Sequence, residues 1–188
     1  SSQPDAEQRQ NGPAMHGALE DALASLAGGN LTSLDLGNCH ISHEGVARLA
    51  EALEHNGALT SLDLRYNGLQ DQGAARLAAA LHGNSAVTRL HLGANGIGDE
   101  GAALLAAALE SNSTLTSLDL ASNRIGAKGV ARIAEALEHN STLTSLNLGG
   151  NDVGDQGAAA LAAALERNVT IRKIHLFGHT GIGAEASA

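Results

Sequence analysis

The hexamer LTSLDL stands at residues 31–36 and returns at residues 59–64 and 115–120. Related hexamers fill the other places: VTRLHL at 87–92, LTSLNL at 143–148 and IRKIHL at 171–176. The six hexamers therefore begin at a constant spacing of 28 residues. Such a fixed period is typical of a repeat protein, in which each unit packs against its neighbours in the chain.

Each repeat combines two apolar patterns. The first part alternates apolar and polar residues, as in Leu34, Asp35 and Leu36, which predicts a short strand with one buried face. The second part is rich in strong helix formers, as in GAALLAAALESN at 101–112, where Leu105 and Leu109 share one helical face. The sequence thus predicts strand, turn and helix in every repeat.

Two polar residue types recur at fixed places. An asparagine follows the strand at position nine of its repeat, and Cys39 takes that position in the first repeat; the asparagines are Asn67, Asn95, Asn123 and Asn151. An amide both donates and accepts, so stacked repeats are expected to form an asparagine ladder between the turns. An aspartate at residues 71, 99 and 155 lies near the start of a helix and is predicted to cap that same helix.

The pattern L-x-x-L-x-L-x-x-N-x-I is similar to the consensus of leucine-rich repeats. Its 28-residue period resembles the ribonuclease-inhibitor-like subfamily, which is also seen in NOD-like receptors and Ran GTPase-activating proteins. The resemblance covers residues 31–182. It implies an α/β fold, a leucine-rich repeat solenoid shaped as a horseshoe arc, with a parallel sheet on the concave side and helices on the convex side.

The predicted organisation has four parts. They are a flexible tail at 1–14, an N-terminal capping helix at 15–30, five repeats at 31–170, and a partial sixth repeat with the C-terminal end at 171–188. In the last part His179 replaces the asparagine and Gly181 falls where isoleucine is expected. This edge is interpreted as a native end, as a truncation of a longer array, or as a surface that pairs with another chain.

Composition narrows the function classes. The net charge of −9 disfavours binding to nucleic acid or to an anionic membrane, and no apolar run is long enough to span a bilayer. The single cysteine excludes an intrachain disulfide, which favours an intracellular, cytoplasmic location, in the protein's own cell or in a host cell if it is a secreted effector. The Ala-rich, Trp-free composition favours a bacterial source.

Residues at positions three, five, seven and eight of each repeat are predicted to point out of the concave sheet. We call the position-three residues row three and the position-five residues row five. The predicted partner-binding residues lie in these rows and along their rim: Asp35, Asp63, Arg65, Tyr66, Arg89, His91, Asp119, Arg124, Lys173, His175 and Phe177. Aromatic and arginine side chains are enriched at the energetic centres of protein interfaces.

Two chemical alternatives are disfavoured by the sequence. A histidine between two carboxylates, as in Asp63, His91 and Asp119, suits acid–base chemistry, but neither a nucleophile nor an enclosing pocket accompanies it. His91 and His175 stand three strands apart, roughly 14 Å, so they cannot share one metal ion. We therefore expect no catalytic residue, no metal, no other cofactor and no small-molecule substrate.

The leading hypothesis is a non-enzymatic module that binds a partner protein through the concave sheet and its rim, as a monomer or a weak homodimer. One alternative is a segment of a larger sensor or bacterial effector that self-associates through its C-terminal edge. A further alternative follows from the resemblance to Ran GTPase-activating proteins, in which case Arg65, Arg89 and Arg124 would supply contacts to a GTPase.

Overall fold

The computed structural model describes residues 14–178, with side chains from residue 17 onward. Of the tail predicted at 1–14 only Ala14 is described, and the predicted departures at His179 and Gly181 lie outside the described residues. The helices are α1 (Ala14–Ala27), α2 (His43–Glu54), α3 (Gln70–Gly83), α4 (Asp99–Ser111), α5 (Ala127–His139) and α6 (Gly154–Leu165). The strands are β1 (Ser33–Asp35), β2 (Ser61–Asp63), β3 (Arg89–His91), β4 (Ser117–Asp119), β5 (Ser145–Asn147) and β6 (Lys173–His175).

The six strands form one parallel sheet in chain order. Each residue pairs with the residue 28 positions later, as Leu34 does with Leu62, so the sequence period is also the sheet register. Strands pack about 4.8 Å apart and helices about 8–10 Å apart, so the stack curves with the sheet on its inner side. The predicted α/β solenoid is confirmed.

The core lies between the sheet and the helices. Leucine or valine at positions one, four and six is buried in the inner repeats, as Leu59, Leu62 and Leu64 show. In the first and last repeats most of the matching residues are only partly buried, as for Leu31 and Ile171, and Leu36 is the exception. Since each unit is covered by its neighbours, the end layers gain less apolar burial than the middle ones.

The asparagine ladder is confirmed. The side-chain oxygen of Asn123 accepts from the amides of Asn95 and Ile97 at 3.0 Å each. Its amide nitrogen donates to the carbonyls of Leu92 and Leu120 at 3.0 and 2.9 Å. One side chain therefore joins the turns of two adjacent repeats.

A second asparagine ladder at the helix ends was missed in the sequence. Asn112 donates to the carbonyls of Leu81 and Asn84, in the preceding repeat, at 2.8 and 3.1 Å. Its oxygen accepts from the amides of Thr114 and Leu115 at 3.0 and 2.8 Å. The equivalent residues are Asn56, Asn84, Asn140 and Asn168. The buried carbonyls at the helix C-termini thus gain partners that the helices cannot supply.

Asp71 and Asp99 do cap helices, but the prediction that each caps its own helix was wrong. Asp99 Oδ1 accepts from the amides of Gly126 and Gly129 at 2.7 and 2.9 Å, so it caps α5, the helix of the next repeat. Asp71 caps α4 in the same way. A Cβ at position 129 would lie 2.7 Å from Asp99 Oδ1, which explains the glycine there.

The capping helix is shorter than predicted at its C-terminal end. The prediction placed it at 15–30, whereas α1 ends at Ala27. Gly28 and Gly29 follow, and Gly29 has a left-handed φ of 69°. A glycine in this conformation is a common end for a helix, because it carries no Cβ to strain the turn. Among residues 14–178, the helices are too short or too polar to cross a membrane.

Removing the Asp99 carboxylate is expected to destabilise the stack locally. Asp99→Ala takes two charge-assisted bonds and a favourable charge from the start of α5, and we expect a loss of about 1–2 kcal/mol in the free energy of unfolding. Urea unfolding followed by circular dichroism measures this loss. Glu100→Ala is the matched control, because Glu100 is an exposed acidic residue of the same turn. Equal losses in the two variants would contradict capping across the repeats.

Candidate protein-binding site

Row three is a line of small hydroxyl side chains with two cations. In order of the strands it reads Ser33, Ser61, Arg89, Ser117, Ser145 and Lys173. Arg89 and Lys173 are both exposed. Neither forms an ion pair with another residue of the described range. Row three therefore offers two exposed cations that have no ion-pair partner among residues 14–178.

Row five has a structural role that the sequence analysis missed. The side-chain oxygen of Asp35 accepts from the amide of Gly37 at 2.9 Å, two residues later, and closes the turn after the strand. Asp63, Asp119 and Asn147 make the same bond in their own repeats. His91 and His175 replace this acceptor with an imidazole. The predicted binding residues Asp35, Asp63 and Asp119 are thus partly committed to the scaffold, whereas the two histidines are departures from it.

Arg65 is held by Asp63 and is not a free contact. Its Nε lies 2.8 Å and its Nη2 2.5 Å from Asp63 Oδ2. Partial burial raises the pKa of Asp63, but hydrogen bonds from Arg65, then the charges of Arg65 and His91, outweigh it and lower the pKa overall. The stem of Arg65 lies over Gly93, where an added Cβ would be 3.5 Å from Arg65 Cγ. A partner meets this residue as part of a fixed ion pair.

The row Asp63, His91 and Asp119 is assembled as the sequence predicted, with the three residues in register on adjacent strands. His91 Nδ1 lies 3.8 Å from Asp119 Oδ2, which is too long for a hydrogen bond. The row faces the open side of the sheet. A cavity of about 360 Å³ lies elsewhere, lined by Leu23, His55 and others near the ends of α1 and α2. The His91 side chain is 34% exposed on this open face.

Tyr66 combines exposure with a strained backbone. It stands at position eight with a φ of 60°, and the residue is 62% exposed. Position eight is left-handed in all six described repeats, where the other residues are Asn38, Ala94, Ser122, Gly150 and Gly178. A bulky residue in this conformation is unfavourable by roughly 1–2 kcal/mol relative to glycine. Tyr66 is the bulkiest of the six residues at this left-handed position.

The remaining predicted residues lie toward the C-terminal end or in a loop. Lys173 and His175 are on β6, and Phe177, which follows that strand, is 85% exposed. Arg124 lies in the loop between β4 and α5, where its amide donates to the carbonyl of Ile97 at 2.8 Å. The face therefore has a central group around Tyr66, Arg89 and His91 and a separate group on the last strand. Within the described range, no three His, Cys, Asp or Glu residues are grouped to hold a metal ion.

Each repeat consists of a strand, an asparagine turn and a helix, which together define a leucine-rich repeat domain. In agreement, the sequence model of a general leucine-rich repeat family matches residues 30–50 and 55–78. The sequence model of a more specific family, described as the TMOD/LMOD leucine-rich domain, matches residues 70–177, which is more than half of the chain. The protein belongs to this family of TMOD/LMOD leucine-rich domains.

Two solved structures are similar in fold. One is described as leiomodin-1 actin-binding site 2; it is 24% identical, the match covers 93% of this chain and 82% of that one, and the TM-score is 0.53. The other is the tropomodulin C-terminal domain of Caenorhabditis elegans, which is 15% identical, with 93% and 87% coverage and a TM-score of 0.57. No curated protein sequence gives a significant match.

Proposed function

We propose that this domain is a non-enzymatic protein-binding module that holds its partner on the concave sheet and its rim. The observation that carries the proposal is the exposure of Tyr66. This residue has a left-handed backbone conformation in which a smaller residue would be less strained. Arg89, His91, Lys173 and His175 support it, because they replace the serine of row three and the Asp or Asn of row five that the other repeats carry. Open sheets of repeat proteins serve as extended binding surfaces.

Actin is the partner we propose. The support is the family membership together with the leiomodin-1 structure, whose description names an actin-binding site. We also propose that the repeats are of the ribonuclease-inhibitor-like subfamily, because the constant 28-residue period and the helix in each full repeat fit that subfamily. We place the function inside a cell, as the single cysteine favours.

Actin binding is tested by titrating labelled actin with the full chain and measuring fluorescence anisotropy. We expect saturable binding that weakens at least about tenfold in the triple variant Tyr66→Ala/Arg89→Glu/Phe177→Ala, because interface centres are enriched in aromatic and arginine side chains. Leu104→Ala is the matched control, since Leu104 is exposed on α4, away from the sheet. Binding that the triple variant leaves unaltered would contradict the concave-face assignment.

Self-association through the C-terminal edge is a second candidate function. Val169 and Phe177 near β6 are each 85% exposed, which places two large apolar side chains at this end of the described solenoid. Light scattering over a range of concentrations tests the idea. A dimer mass that appears at high concentration and is lost in Phe177→Ser supports it, and a constant monomer mass contradicts it. GTPase activation is less well supported, since Arg65 is bound to Asp63.

A further inference from the structure

Arg89 and Lys173 both have serine as their neighbour in row three. Arg89 lies between Ser61 and Ser117 on the neighbouring strands, and Lys173 lies beside Ser145. Serine side chains are too short to cover the neighbouring cations or to compete for their charge. Each cation is therefore accessible to a carboxylate from outside the domain, which it can bind through a charge-assisted hydrogen bond.

The register fixes the distance between the backbone positions of these two cations. Arg89 is in line with Ser117, then Ser145, then Lys173, so their Cα atoms are three strand spacings apart, or roughly 14 Å. An extended polypeptide rises about 3.3 Å per residue, so side chains four residues apart are about 13 Å apart and point to the same side. An extended segment that crosses the strands can thus place one carboxylate at each cation.

Row five limits what can lie beside such a segment. Asp119 follows Ser117 by two residues on the same face, and Asp63 and His91 are its counterparts on β2 and β3. Asp63 is paired with Arg65 at 2.5 Å, whereas Asp119 lies farther from the charge of Arg65 and has the His91 ring at 3.8 Å. A carboxylate displaced along the strand toward Asp119 would be repelled, which favours a segment whose carboxylates stay over row three.

We propose that row three binds an extended segment of the partner protein that carries two carboxylate side chains four residues apart. One carboxylate binds Arg89 and the other binds Lys173. The side chain midway between them faces Ser117 and Ser145, where the sheet is small and polar. This assignment rests on the proposed protein-binding function and specifies the chemistry that the partner presents.

The test uses short peptides with blocked ends and a Ser/Thr background, so that their only charges are two glutamates. One peptide has the glutamates four residues apart and the other three apart, which puts them on opposite sides when extended. Titration into the isotopically labelled full chain is followed by NMR. We expect the first peptide to bind at least about threefold more tightly than the second at low ionic strength, with shifts at Arg89, Ser117, Ser145 and Lys173.

Two double variants control for net charge. Arg89→Ser/Lys173→Ser is expected to abolish the difference between the peptides, whereas Arg76→Ser/Lys128→Ser, which removes two exposed cations from α3 and α5, keeps it. Equal affinity of the two peptides for the unmodified chain overturns the proposal. Actin binding that survives Arg89→Ser/Lys173→Ser and is lost in Tyr66→Gly also overturns it, and leaves the proposed function in place.

Discussion

Asn123→Ala is expected to lower the free energy of unfolding by about 3–5 kcal/mol, because leaving buried donors and acceptors unsatisfied costs about 1–3 kcal/mol per group. Asn123 is 8% exposed and is bonded to two backbone amides and three backbone carbonyls, including that of Ala121 at 3.3 Å. Alanine can replace none of these bonds. The loss falls on the turns of two repeats at once, so we also expect a less cooperative transition.

Urea unfolding followed by circular dichroism measures the effect. The matched control is Asn147→Ala, which removes the same amide from row five, where it makes one backbone bond at 3.1 Å in a partly exposed position. We expect the control to lose about 1 kcal/mol, in line with one ordinary hydrogen bond. A similar loss in both variants would mean that burial and ladder position do not determine the contribution of these asparagines.

The parts of the fold that repeat could be predicted from sequence. Leu62, Leu90 and Leu118 recur with the period of the chain, and the same period appears as register in the sheet. Asn95 and Asn123 were predicted to join adjacent turns, because an amide at a point where strands lose their partners has few other roles. In a solenoid each repeat contacts its neighbours in the chain, so the repeated pattern along the sequence predicts most of the contacts in the structure.

The direction of the aspartate caps could not be read in the same way. Asp99 is the first residue of α4, and an acidic residue in the first turn is a familiar cap for its own helix. In the structure its carboxylate instead reaches Gly126 and Gly129 in the next repeat. The sequence feature that could have indicated this contact was the glycine at position 129, because its missing Cβ leaves room for that carboxylate.

The sequence indicated candidate site residues, but it did not indicate the ion pairs or the backbone conformations that those residues adopt. The sequence analysis placed Arg65 among the partner-binding residues, whereas its ion pair with Asp63 depends on side-chain torsions that no pattern reveals. The strain at Tyr66 was also missed, although a signal existed. The equivalent residues include Asn38, Gly150 and Gly178, which are types that favour the left-handed region, and comparison of that column would have identified it.

Tyr66→Gly is expected to change stability and binding in opposite directions. Glycine removes the left-handed strain, so the free energy of unfolding should rise by about 0.5–1 kcal/mol after the added freedom of the unfolded chain is subtracted. Loss of the exposed aromatic should weaken partner binding at least about tenfold, as expected for a central interface residue. Thermal unfolding and anisotropy with labelled actin measure the two quantities on one preparation.

Ala94→Gly separates the two effects. Ala94 is the next residue of the same column, with a φ of 55°, and it carries no aromatic ring. It should therefore gain stability as Tyr66→Gly does, while binding stays unchanged. If Tyr66→Gly binds as tightly as the unmodified chain, Tyr66 is a tolerated strained residue and the proposed site loses its main support. If both variants weaken binding, the backbone conformation of the rim is what the partner recognises, and the tyrosine ring is not the contact.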